Sequence, residues 1–222
     1  MIMNGNHNKI TRLVFTLVLA LGLTTTGCQH QRDYGMKPAS NPIQDEFTAG
    51  KDRAPTAQTL YAMSRLLSAR HRDAQAEYVL MRIIEKHPDF VPAYVDLAEL
   101  QMRKNMTDEA MATLRKGMEV APGNALLKNN LGVCLMVTED YAGALEQFTA
   151  ASQAEPRERR YSANRGVVLA LMGEYDQALE IFKGALTHED AHYNLAMICQ
   201  ANGDEARAAE ELRLSKEPHS DH

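Results

Sequence analysis

From Ala57 onward, apolar side chains return three and four residues apart within a series of short segments. That spacing places them on one face of a helix. It predicts helices over 57–70, 73–86, 91–104, 107–120, 125–138, 141–154, 159–172, 175–187, 189–202 and 205–216, taken in pairs. The second helix of each pair carries a small residue, Ala76, Ala110, Ala144 or Ala178, followed four positions later by Leu80, Leu114, Phe148 or Phe182. The small residue lets two helix axes approach, and the large one fills the space beside it. Both recur every 34 residues, as do Pro88, Pro122 and Pro156. Proline ends a helix because it lacks the backbone donor and restricts the residue before it. The fifth pair is out of phase. Ala178 to Ala208 is 30 residues, and no proline stands between Leu186 and Ala191. Its last helix is polar on the side of Glu210, Glu211 and Arg213, as expected of a helix that closes a stack.

The 34-residue period with this small-then-large signature resembles the tetratricopeptide repeat family. Asn130-Leu131-Gly132 and Asn164-Arg165-Gly166 stand in matching places in first helices, and Gly173-Glu174-Tyr175-Asp176-Gln177-Ala178-Leu179 reads as a family turn and helix start. The resemblance implies an all-α fold, a right-handed α-solenoid of about five helix pairs over 57–216, with units near 57–90, 91–124, 125–158, 159–188 and 189–216. It also implies a concave groove, lined by first helices, that holds a peptide or a partner helix. Carried over by position, the groove offers Tyr61, Val95, Asp96, Glu99, Asn129, Asn130, Val133, Val137, Asn164, Val167, Leu171, Tyr193, Asn194 and Met197. Asn130, Asn164 and Asn194 recur in register, and an amide can bond both the C=O and the N–H of an extended ligand. The same amides could instead bond the neighbouring repeat. Sequence alone leaves both readings open.

The chain before the repeats has another character. Lys9 and Arg12 precede an apolar run from Leu13 to Leu23, too short to span a bilayer but suited to a secretory signal. Thr26-Gly27-Cys28 resembles a bacterial lipobox, with Thr25 in place of the usual Leu. The expectation is a signal peptide over 1–27, acylation of Cys28, and a polar tether over 28–56 holding Gly35, Pro38, Pro42, Gly50 and Pro55. Such a tether reaches roughly 30 Å. Gln29 after the Cys resembles an outer-membrane sorting signal, which implies a lipid-anchored protein facing the periplasm. Residues 217–222 read as a loose tail.

Charge adds little pull toward other partners. Cut before Cys28, the chain would hold 22 basic and 29 acidic residues, so the membrane is expected to be met through acyl chains and not through basic side chains. The signs are mixed along the chain, with no basic stripe for nucleic acid. Cys134 and Cys199 lie on first helices two units apart, too far for a disulfide. They read as separate buried thiols. His188 and His192 are spaced i, i+4, and His219, Asp221 and His222 cluster at the tail. Neither set has a rigid third ligand, so both read as solvated surface groups and no metal or cofactor is expected. Arg157-Glu158-Arg159-Arg160 precedes a predicted helix, where cations oppose the helix dipole. It reads as a self-neutralised surface cluster with Glu155, or as a contact for an acidic partner. No phosphate loop, nucleophile elbow or paired acid in a predicted cleft is read in the sequence.

The functional expectation is a non-catalytic scaffold that binds proteins or peptides at the bacterial envelope. Its architecture resembles lipoproteins of pilus assembly and secretion machines, including the tight-adherence type. The alternatives are an adaptor that recruits peptidoglycan hydrolases or proteases, and an enzyme or metal-binding protein.

Overall fold

The computed structural model describes residues 55–217. The signal peptide, Cys28, the tether and the tail from residue 218 lie outside the described residues. Within them the chain forms ten α-helices and no strand. In order they are α1 (Ala57–Ala69), α2 (Asp73–Lys86), α3 (Val91–Arg103), α4 (Thr107–Val120), α5 (Ala125–Val137), α6 (Tyr141–Ala154), α7 (Arg159–Leu171), α8 (Tyr175–Ala185), α9 (His188–Asn202) and α10 (Glu205–Leu214). Every end falls within two residues of the one the periodicity predicts. Each helix packs on its neighbours in the chain, and α3 also meets α5, as α7 meets α9. This is an α-solenoid, with contacts running between successive units.

One turn is used five times. The residue two places beyond the first helix of each pair takes the left-handed conformation: His71, Asn105, Glu139 and Gly173, with Gly203 in the fifth unit standing directly after its helix. A backbone N–H then reaches back five residues at each turn, from Arg72 to Leu67, Met106 to Gln101, Asp140 to Leu135, Glu174 to Leu169 and Asp204 to Cys199, all at 2.9 Å. This is the Schellman closure, which satisfies a carbonyl the ending helix leaves open. Five helix starts share one kind of side-chain cap. Thr56, Asn124, Asp140, Thr187 and Asp204 each accept from a backbone N–H three residues on.

The core of a pair is set by size matching. A Cβ built on Gly132 would stand 2.8 Å from the Phe148 ring, and one on Gly166 would stand 2.7 Å from the Phe182 ring. The bare helix backbone is therefore what admits a phenyl group. Where the large residue is Leu114, the register partner in α3 is Ala98, and both are buried. The fifth unit is shortened at its entrance. Leu186 is extended, and Thr187 caps α9 at once by accepting from the Asp190 N–H at 3.1 Å. Two residues thus replace the four that join other units.

Candidate protein-binding groove

The first helices bring the C-terminal half of the expected groove together. Val133 of α5, Val167 and Leu171 of α7 and Met197 of α9 belong to one apolar cluster that crosses three units. Val133 and Met197 are partly open, whereas Val167 has no exposed surface and Leu171 is buried. Val167 is thus packing beneath the groove and not ligand-contacting surface, a correction to its expected role. Tyr193, one helical turn before Met197, is 46% exposed. Asn194 is buried, and Val137 is half-buried. In the N-terminal half Val95 is buried, Asp96 half-buried and Glu99 exposed. The Tyr61 ring meets Phe90 edge-on at 5.2 Å.

The asparagines divide between the two roles. Asn164 donates from Nδ2 to Oδ1 of Asn129 at 2.8 Å, and Asn129 donates from its Nδ2 to Oδ1 of Asn130 at 3.2 Å. Asn164 and Asn129 are both buried. Their amides join α7 to α5, so Asn164 is spent on the neighbouring repeat and does not face solvent as the groove reading required. The chain of amides ends at Asn130 Nδ2, which is buried and has no hydrogen-bond partner among the described residues. A buried donor left open calls for an acceptor, and of the linked amides this is the one not spent on the neighbouring repeat.

Sequence reasoning missed Arg165, whose Nε is likewise buried without a partner among the described residues. The signal was present: Arg165 stands where the matching units have Leu97 and Leu131. A second correction concerns the histidines and the closing helix. His192 and Glu211 are buried, with His192 Nδ1 and Glu211 Oε2 2.6 Å apart. Arg207 donates to Glu211 Oε1 at 2.7 Å and to Asp176 of α8 at 2.9 Å. His188 lies beside His192, with ring centroids 4.5 Å apart and the rings tilted by 58°. These groups tie α10 to α9 and α8. They are structural and not solvated surface histidines, and Glu211 is not on the outer side. It is the one residue that α10 buries.

Cys134 and Cys199 are free and buried. Desolvation pushes the Cys134 thiol up to about 12 and the Cys199 thiol up to about 11, which keeps both protonated and unreactive. In the basic cluster Glu158 takes Arg160 in a two-point contact of 2.9 and 3.0 Å. Arg157 and Arg159 stay exposed beside a shallow space shared with Pro156, Ser162, Gly184 and Ala185.

Geometry of this kind defines a helical-repeat protein whose face is built from successive first helices. Tetratricopeptide repeat models match residues 67–129, 129–189 and 190–213 in unbroken succession. The chain belongs to the tetratricopeptide repeat family. Among curated proteins it is similar to the type IV pilus assembly protein PilF of Pseudomonas aeruginosa, with 29% identity over 180 residues, covering 79% of this chain and 66% of that protein. The chain spans 66% or less of the length of the curated relatives it matches. Two solved structures share the fold. YrrB, a protein of this repeat class with an unusual peptide-binding site, has a TM-score of 0.57 at 24% identity over 72% of this chain and 84% of its own. The solved Pseudomonas aeruginosa PilF has 0.59 at 22% over 75% and 78%. The repeats make this chain a protein-binding scaffold in type.

Proposed function

We propose that the chain is a non-catalytic scaffold of the bacterial envelope, anchored to the outer membrane by acyl chains on Cys28. It receives a protein or peptide on the face of its first helices during assembly of a pilus or secretion system. The observation that carries the reading is the open end of the amide relay. Asn130 Nδ2 is buried without a partner among the described residues, on the helix that also presents Val133 and Val137. A ligand carbonyl or carboxylate would satisfy that donor, and the half-open apolar side chains beside it would bury ligand side chains. Tyr193 and Met197 extend the face into the fifth unit. The similarity to PilF, named for type IV pilus assembly, supports the pathway. The lipobox-like Thr26-Gly27-Cys28 supports the anchor.

The test is recovery of the full chain from crosslinked envelopes. Mass spectrometry should find Cys28 as an acylated N-terminus and one recurrent protein bound. Asn130→Ala should weaken retention about tenfold, the loss of one such hydrogen bond at about 1.4 kcal/mol. It also frees Asn129 Nδ2, so retention is compared where both proteins are fully folded. Asn164→Ala should instead lower the melting temperature, because it strands Asn129. Equal retention by wild type and Asn130→Ala would remove Asn130 from the site.

A further inference from the structure

Two outward positions of the second helix hold at least one charged residue between them in every unit but the first. They are Ala112 and Arg115 in α4, Glu146 and Thr149 in α6, Glu180 and Lys183 in α8, and Glu210 and Arg213 in α10. In α2 they are Tyr78 and Met81, 63% and 57% exposed. The two are three residues apart and share one helix face. α1 adds a second apolar pair at the same spacing, Met63 and Leu66, 51% and 52% exposed. Their register equivalents in α3, Leu97 and Leu100, are buried, whereas among the described residues no helix precedes α1 to cover it. The other large exposed apolar side chains among the described residues, Val120, Met172, Tyr193 and Leu212, stand singly in later units.

The same unit carries uncompensated positive charge. Its acids are already held: Asp73 by Arg103 at 3.5 Å, Glu77 by Lys104 at 2.6 Å and Glu85 by Lys86 at 3.1 Å. The first two of these pairs cross to the second unit, which leaves the first with the surplus. Arg65, Arg70, Arg72 and Arg82 are exposed, and none has an ion-pair partner among the described residues. Arg82 meets the Tyr78 hydroxyl at 3.4 Å. The chain from Cys28 holds 22 basic and 29 acidic residues, so its net charge conceals a basic end.

We propose that this end of the solenoid rests on the surface of a bilayer that contains anionic lipid. Met63, Leu66, Tyr78 and Met81 enter the boundary between headgroups and acyl chains, and the arginines bind lipid phosphates. Tyrosine suits that boundary, with an apolar ring and a wet hydroxyl. Arginine suits it too, since its stem lies along apolar groups while its head reaches the phosphates. A bilayer surface needs no groove and accepts stripes from two helices at once, whereas an acidic partner helix offers one face. No described helix is long and apolar enough to cross a membrane, so the contact is peripheral. The inference rests on the acyl anchor proposed above. α1 is the described helix nearest Cys28 in the chain, and the intervening residues 29–56 reach roughly 30 Å. Contact at the first unit leaves the face around Asn130, Tyr193 and Met197 to the protein partner.

Two measurements test this. The acylated chain is placed in vesicles of phosphatidylethanolamine and phosphatidylglycerol, with a fluorescent residue at one position and bromine on the lipid chains. Positions 63, 66, 78 and 81 should be quenched, and positions 172 and 212 should not. The chain from residue 28 is then made with Cys28→Ser and no acyl chain, and its binding to vesicles is measured by flotation. It should bind vesicles containing phosphatidylglycerol and not vesicles of phosphatidylcholine alone, since each arginine near an anionic surface raises partitioning about fivefold. Arg65→Gln with Arg82→Gln should therefore lower binding about twentyfold. Met63→Ser with Met81→Ser should lower it as well, and the circular dichroism of each variant should match that of the wild type. Equal binding to the two kinds of vesicle overturns the proposal and leaves this end to a protein. So does an absence of quenching at 63 and 66, or at 78 and 81. A native Cys28 without lipid would remove the anchor but not the binding of the unacylated chain, so the two readings fail separately.

Discussion

Replacing Gly132 by Ala puts a methyl group 2.8, 2.9 and 3.1 Å from three atoms of the Phe148 ring. Carbon atoms rest at about 3.5–4.0 Å, so the ring would have to retreat by nearly an ångström. It is fully buried, and a close-packed interior offers it no room. Overpacking of this kind costs about 1–3 kcal/mol, against about 1 kcal/mol regained because Ala favours the helix over Gly. A net loss of up to about 2 kcal/mol is expected. Phe148→Leu alone should cost about 1–2 kcal/mol through the space it empties. The double variant recreates the Ala98 and Leu114 pairing of the second unit, so its cost should fall below the sum of the two by about 1 kcal/mol or more. Urea unfolding of the wild type, both single variants and the double closes the cycle. Additivity within about 0.5 kcal/mol, or a Gly132→Ala protein clearly more stable than the wild type, would refute the size-matching account.

Glu211→Ala should cost about 1–3 kcal/mol, because it leaves His192 buried without its partner, whereas the half-buried Arg207 keeps Asp176. The loss should appear first as fast hydrogen exchange in α10, while α1 to α6 keep theirs. The thiols give a pH dependence. Cys134 and Cys199 stay protonated in the folded chain up to about 12 and about 11, whereas thiols in the unfolded chain ionise near 8.5. Their raised values contribute stability that is whole below pH 8.5 and lost as pH rises through the folded values. The melting temperature should therefore fall less above pH 9 in a Cys134→Ala, Cys199→Ala protein than in the wild type. Equal slopes would contradict this.

Ten helices were legible because the period repeats in register. Ala76, Ala110, Ala144 and Ala178 fix the phase, and each error at a helix end is a frayed or capped turn. The site was harder to read. Asn130 and Asn164 are identical in register, yet one ends the amide relay and the other begins it. That difference arises from Asn129, which has Ala163 as its register equivalent in the next unit and so breaks the symmetry that the repeat suggests. His192 and Glu211 read as surface groups because each is polar on its own helix. Only the shortened entrance to α9 and the packing of α10 place them against each other. Val167 read as groove surface because periodicity gives a side chain's direction and not the depth of what covers it.

The central claim, that the face of the first helices holds a protein partner, is tested most directly by site-specific photocrosslinking in living cells. A photoreactive residue replaces Tyr193 on that face, or Tyr78, an exposed side chain of α2. The account predicts a discrete protein adduct from position 193, lost when Met197→Glu is added and absent from position 78. An adduct from position 78 alone, or one at 193 that survives Met197→Glu, would contradict it.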